Sequence, residues 1–181
     1  MAEITYTVPG LDHEQSGTVV GLLQNRLSAY NDLHLTLKHV HWNVVGPHFI
    51  AVHEMLDPQV DLVRGYADEV AERIATMGGS PQGTTGAIEA DRTWDDYSIG
   101  RDGVLAHLAA LDLVYVGLLT DHRKAIALLG DLDPVTEDIL IGHTAELEKF
   151  QWFIRAHLED IGGQLTHAGA TSEANAAADA R

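Results

Sequence analysis

The sequence predicts an all-α protein, a four-helix bundle. Apolar residues return at steps of three and four in four long segments, glycine and proline punctuate the chain between those segments, and no stretch carries the alternating pattern of a β-strand. At 181 residues and 45% hydrophobic composition, one domain with a substantial buried core is expected. The absence of cysteine excludes a disulfide framework and any thiolate metal site, so a metal must be held by imidazole and carboxylate.

The first helix is read from Val19, Leu23, Leu27, Tyr30, Leu33, Leu37 and Val40, and stops where Gly46 and Pro47 follow. The second runs from Phe49 through Val52, Leu56, Val60, Val63, Ala67 and Val70 to Ile74, closed by the Gly78-Gly79-Ser80-Pro81 stretch. Residues 78–99 are rich in Gly, Pro, Thr and Asp around Trp94 and Tyr97, and read as a long crossover with room for one helical turn. The third helix follows Val104, Leu108, Leu111, Tyr115, Leu118 and Leu119 to Gly130. Asp133 as N-cap and Pro134 at the first helical position open the fourth, through Leu140, Leu147, Phe150, Ile154 and Ile161. Helices of this size are each roughly 40 Å long at 1.5 Å per residue, and only a long bundle buries them. The expected organisation is an N-terminal tail over 1–14, a bundle over 15–163 and a flexible, small and polar C-terminal tail over 164–181.

A net charge of −16 favours cationic ligands and disfavours polyphosphates and anionic lipid surfaces. No basic region followed by an apolar run opens the sequence, and no apolar stretch approaches the roughly 18 residues of a membrane span. A cytoplasmic protein with no membrane partner is expected.

Five metal-type ligands gather in residues 41–72: His41, His53, Asp57, Asp68 and Glu72. On the second helix His53 and Asp57 are one turn apart, as are Asp68 and Glu72, so each pair can grip one ion. Asp57 and Asp68, however, are eleven residues apart. That is roughly 16 Å along the axis, against about 4–5 Å between ligands of one ion. The halves need a second chain, and a two-fold axis laying this helix antiparallel to its own copy creates two equivalent sites per dimer. Helical phase agrees: with His53 at zero, the four ligands span roughly 0° to +100° while the apolar stripe lies near −60°. The chain contains no Glu-x-x-His pair, which disfavours a site inside a single bundle.

HWNVVGPHFIAVHEMLD, followed by Asp68 and Glu72, resembles the signature of the Dps mini-ferritins, and the resemblance extends through all four helices and KFQWFIRAHLE. It implies a ferritin-like bundle with a long crossover, assembled into a hollow homo-dodecamer. It also implies ferroxidase activity: ferrous iron oxidised at dimer interfaces, with hydrogen peroxide preferred over O2, and ferric mineral stored in the shell against oxidative damage. Carried over residue by residue, iron ligands His41, His53 and Asp57 come from one subunit, Asp68 and Glu72 from its two-fold mate. Imidazole and carboxylate suit that chemistry, because carboxylates favour the ferric product over the ferrous reactant.

Trp42, beside His41, is either an electron donor close to iron or an interface packing aromatic. Asp138 and Glu146, with Asp131 and Asp133 before them, form either an acidic three-fold pore, as the resemblance implies, or a solvated helix end. His34 and His39 read as structural, and no spacing singles out a peripheral site among His13, His48 and His167. Tail-mediated DNA binding is not expected: no Lys or Arg precedes Arg26, and after Arg155 only Arg181 remains. Two other readings are a metal-dependent hydrolase using the same ions and a nucleoid-compacting protein.

Overall fold

The computed structural model describes residues 4–181; residues 1–3 of the expected N-terminal tail lie outside them. Four long helices make the bundle: α1 (His13–Asn43), α2 (Phe49–Thr76), α4 (Val104–Leu129) and α5 (Pro134–Leu158), with short helices α3 (Thr85–Asp91) and α6 (Glu173–Asp179). α1 packs chiefly on α2 and α4 on α5, and the short connections make each pair antiparallel. Residues after α2 then travel the length of the bundle. Two short strands settle where they arrive: β1 (Val44–Val45), directly after α1, pairs in parallel with β2 (Asp102–Gly103), directly before α4. α4 therefore starts at the end of the bundle where α1 finishes.

The caps explain the boundaries. Asp12 and Gln15 form a reciprocal capping box, which starts α1 earlier than the apolar stripe shows. Gly46 at φ 95 and His48 at φ 66 turn the chain into α2. α2 passes through Pro58, whose missing N–H leaves the Glu54 carbonyl without its helical donor. At its far end Gly78 has φ 80, and a Cβ there would stand 2.0 Å from the Tyr6 carbonyl oxygen, so only glycine fits. The predicted stripe forms one core, with Leu23, Leu37, Leu56, Ile74, Leu108 and Leu140 fully buried.

Several expectations are corrected. The C-terminal segment is a folded element, because α6 lays Ala176 and Ala177 against α4, where the small side chains Ala106 and Ala110 allow close approach. His167, counted among peripheral metal candidates, is buried with Nε2 3.0 Å from Asp112 Oδ2. Arg181 Nε donates to Asp102 Oδ2 at 3.1 Å. The N-terminal residues 4–11 are likewise held to the bundle: Thr5 N–H donates to the Gly78 carbonyl, and Ile4, Val8 and Leu11 pack on the core. α5 ends at Leu158, short of Ile161, which is fully exposed. Contrary to the sequence reading, α4 is long and apolar enough by composition to cross a membrane. Its buried Asp112, His107 and His122 bond to neighbouring elements, as expected of a bundle core helix.

Candidate metal centre

Where α1 ends and α2 begins, His41 and His53 face one another. Their rings stack with centroids 3.6 Å apart, and the contact is reciprocal: His41 Nδ1 lies 3.0 Å from the His53 carbonyl oxygen, His53 Nδ1 3.0 Å from that of His41. A carbonyl only accepts, so both Nδ1 atoms carry the hydrogen. In the neutral rings each Nε2 is then a lone-pair donor, the tautomer a metal ligand needs. His41 is buried and His53 half-buried. Asp57, one turn after His53, places Oδ1 3.3 Å from His41 Nδ1. Its carboxyl is held below the usual range, first by the hydrogen bond from Lys38 and then by the charges around it.

Lys38 is the residue that sequence reasoning missed. Its Nζ donates to Asp57 Oδ1 at 3.0 Å and lies 5.9 Å from the Trp42 ring centre. Its position one turn before His41 was the available signal. A cation arriving at Asp57 competes with this ammonium. Trp42 is 72% exposed, in a monomer that also exposes Leu35, Phe49 and Ile50 nearby.

Asp68 and Glu72 stand exposed further along α2. The chain thus brings together His41, His53, Asp57 and Lys38, and leaves Asp68 and Glu72 roughly 16 Å away along the helix. Among the described residues, no group of three or more His, Asp or Glu side chains in this single chain is arranged to hold an ion.

Of the acidic residues near the start of α5, Asp131 and Asp138 are exposed. Asp133 turns inward instead: its Oδ2 accepts from Arg73 Nη2 at 2.7 Å and from the Thr136 hydroxyl. Its carboxylate is thus committed to the bundle and shielded from solvent. Glu146 is half-buried and accepts from Lys149.

The sequence of residues 20–163 matches the family model described as Ferritin-like domain. It is also 68% identical to the DNA protection during starvation protein of Mycolicibacterium smegmatis, over 98% of this chain and 97% of that relative. The chain belongs to the Dps family of ferritin-like proteins. A solved Mycobacterium smegmatis Dps is 69% identical with a TM-score of 0.91, covering 93% of this Dps-family chain and 97% of that one. DpsA14 from Streptomyces coelicolor is 63% identical with a TM-score of 0.89, covering 91% and 98%. A Dps from Microbacterium arborescens, described as in the high iron form, is 28% identical with a TM-score of 0.78, covering 86% and 100%.

Proposed function

We propose that this Dps-family chain is a ferroxidase and iron store. It oxidises Fe(II) at centres completed across a two-fold axis, with hydrogen peroxide as the preferred oxidant, and keeps the ferric product inside a hollow dodecamer. One observation carries the reading: two imidazoles with uncommitted Nε2 atoms and a carboxylate held below its usual pKa sit side by side at one end of α2, too few to enclose an ion within this chain, while two exposed carboxylates wait at a distance one ion cannot span. An antiparallel copy of α2 brings Asp68 and Glu72 of its own chain to His41, His53 and Asp57. The exposed Trp42, Phe49 and Ile50 supply apolar area for such a contact. The high iron form of the Microbacterium arborescens relative supports iron as the substrate.

At the shared site the carboxylates stabilise the higher charge of Fe(III), and arriving Fe(II) displaces Lys38 from Asp57. Transfer of two electrons from two Fe(II) ions reduces one peroxide without releasing a radical. Asp138 is the residue best placed to draw cations to a pore, and its neutralisation slows uptake at subsaturating Fe(II). Protection of DNA, named for the Mycolicibacterium smegmatis relative, follows here from removal of iron and peroxide. The packed α6 and the Arg181–Asp102 pair leave the C-terminal segment little positive charge for phosphate.

Mixed-subunit complementation tests the shared centre. Chains carrying His41→Ala, His53→Ala and Asp57→Ala are assembled with chains carrying Asp68→Ala and Glu72→Ala, and Fe(III) formation is followed. Each variant alone is expected to be inactive and the mixture to recover part of the rate. Failure of the mixed, correctly assembled shell to recover any rate rejects the shared centre.

A further inference from the structure

Away from the ligand face of α2, a continuous polar chain crosses the middle of the bundle. Arg26 Nη1 lies 3.0 Å from His122 Nδ1, and His122 Nε2 lies 2.6 Å from the Tyr30 hydroxyl. The same hydroxyl is 2.9 Å from His143 Nδ1, and His143 Nε2 is 2.9 Å from Glu69 Oε2. Arg26, Tyr30, His122 and His143 are buried, whereas the Glu69 side chain is 53% exposed.

The two ends set the direction of every bond between them, because a guanidinium only donates and a carboxylate only accepts. With neutral imidazoles, Arg26 donates to His122 Nδ1, His122 Nε2–H donates to the Tyr30 oxygen, Tyr30 O–H donates to His143 Nδ1, and His143 Nε2–H donates to Glu69. This direction has a cost at the Leu118 carbonyl, which only accepts: it faces the unprotonated His122 Nδ1 at 2.8 Å and is left the Arg26 hydrogen at 3.5 Å. The opposite tautomer of His122 reverses the chain and requires an imidazolium at His143. Burial resists that: it pushes His122 down to about 3 and His143 below its ordinary value, with Glu69 opposing the second shift.

We infer that Tyr30 is a redox-active tyrosine, a radical station for one-electron oxidants, with His143 as the acceptor of its phenolic proton and His122 as a fixed donor to the phenoxyl oxygen. As a role in iron chemistry, this rests on the ferroxidase reading above. The physical reason is proton disposal. An oxidised phenol is strongly acidic, and a buried one can be oxidised at modest cost only if a base already holds its hydrogen bond. Tyr115 makes the contrast: it is fully buried, but its hydroxyl donates to Gln59 Oε1 at 2.7 Å, an amide that takes no proton. Tyr97 does meet an imidazole, His107 Nδ1 at 2.9 Å, yet His107 Nε2 is buried with no hydrogen-bond partner, and Asp102 acts on that ring through its charge without a direct bond. Tyr30 alone among these three has a base hydrogen-bonded to a carboxylate.

An electron path leads towards the metal face. Tyr66 lies 5.7 Å from Tyr30 between ring centres, stacks on His143 at 3.7 Å, and is two residues before Asp68 on α2. When a single Fe(II) reduces peroxide, the products are Fe(III), hydroxide and a hydroxyl radical. That radical takes one electron from Tyr30 by way of Tyr66 and becomes hydroxide, while the Tyr30 O–H bond breaks and its proton moves to His143 Nδ1. A second Fe(II) returns the electron, the proton comes back, and the O–H bond re-forms. The sum is two Fe(II) oxidised and one peroxide reduced to two hydroxide ions.

Rapid freeze-quench EPR tests this on the assembled protein mixed with peroxide and substoichiometric Fe(II), with Fe(III) absorbance followed in the same mixtures. A tyrosyl signal is expected in the wild type, lost to background in Tyr30→Phe and retained in Tyr97→Phe. Wild-type protein equilibrated in D2O must also show, by ENDOR, two exchangeable deuterons bonded to the phenoxyl oxygen, one from each imidazole. This second readout holds even if Tyr30→Phe fails to fold. A metal-free arm, oxidised by photogenerated ruthenium(III) tris-bipyridine, must give the same radical whether or not iron is a substrate. Undiminished signal in a folded Tyr30→Phe, or a wild-type radical with fewer than two such deuterons, overturns the assignment. Absence of Fe(III) formation with a Tyr30 radical in the metal-free arm overturns only the ferroxidase reading.

Discussion

Two histidine clusters in this chain are built from the same residue types and differ in what their atoms are already doing. In the buried chain of Tyr30, His122 and His143, each imidazole is engaged at both nitrogens, from Arg26 at one end to Glu69 at the other. At the α1–α2 junction, His41 and His53 each use Nδ1 on the other's carbonyl and keep Nε2 uncommitted, beside the Asp57 carboxylate, which accepts from Lys38 and lies 3.3 Å from His41 Nδ1. A saturated cluster orders the interior and can move protons along itself. An unsaturated one at a surface can accept an ion. Ligand chemistry is decided by the spare lone pair, not by the count of histidines.

The sharpest way to break this comparison is to remove one residue from the open cluster. His53→Ala should lower the initial rate of Fe(III) formation by at least about 100-fold, beyond the usual effect of losing a supporting group around a metal. Retention of near-wild-type rate would show that its Nε2 is not a ligand. Removing the central hydroxyl of the closed cluster acts on stability instead. Tyr30→Phe leaves His122 Nε2–H and His143 Nδ1 without a partner and should cost about 1–3 kcal/mol in urea unfolding at fixed protein concentration.

Acid separates the clusters further. The folded pKa of His122 is depressed from 6.5 to about 3. Between those values the unfolded chain binds more protons, so stability is full above the unfolded value and falls as pH drops towards the folded one. This group alone contributes a slope of up to about 1.4 kcal/mol per pH unit in that window. His122→Gln should flatten the wild-type curve there, and an unchanged slope would refute the neutral assignment. The smallest effect belongs to Lys38. Lys38→Met removes the competitor at Asp57, an exposed carboxylate whose ion pair is weakened by solvent, and should tighten metal binding by about 2- to 5-fold in calorimetric titration.

The four long helices and the candidate ligand pairs were legible because each writes itself into spacing. Leu23 to Leu37 and Leu56 to Ile74 repeat at helical steps, and His53-Asp57 and Asp68-Glu72 are one turn apart. What escaped has no local pattern. α6 buries Ala176 and Ala177, with Ala180 just after it, side chains too small to form a visible stripe, and it packs by close approach to the alanines of α4. Asp133 looks like a simple N-cap in sequence, yet its carboxylate bonds to Arg73, sixty residues earlier. The Tyr30 chain joins residues from α1, α2, α4 and α5, and no window of sequence contains it.

The first and last described segments are anchored at opposite poles of the bundle. Thr5 is fastened to Gly78 at the finish of α2, whereas Arg181 is fastened to Asp102, and a shallow depression there is lined by Gly46, Pro47, His48 and Arg181. A purification handle or displayed peptide appended after Arg181 therefore begins beside the turn that delivers His53. One placed ahead of Ile4 starts a full helix length away from it, and is the safer address for cargo.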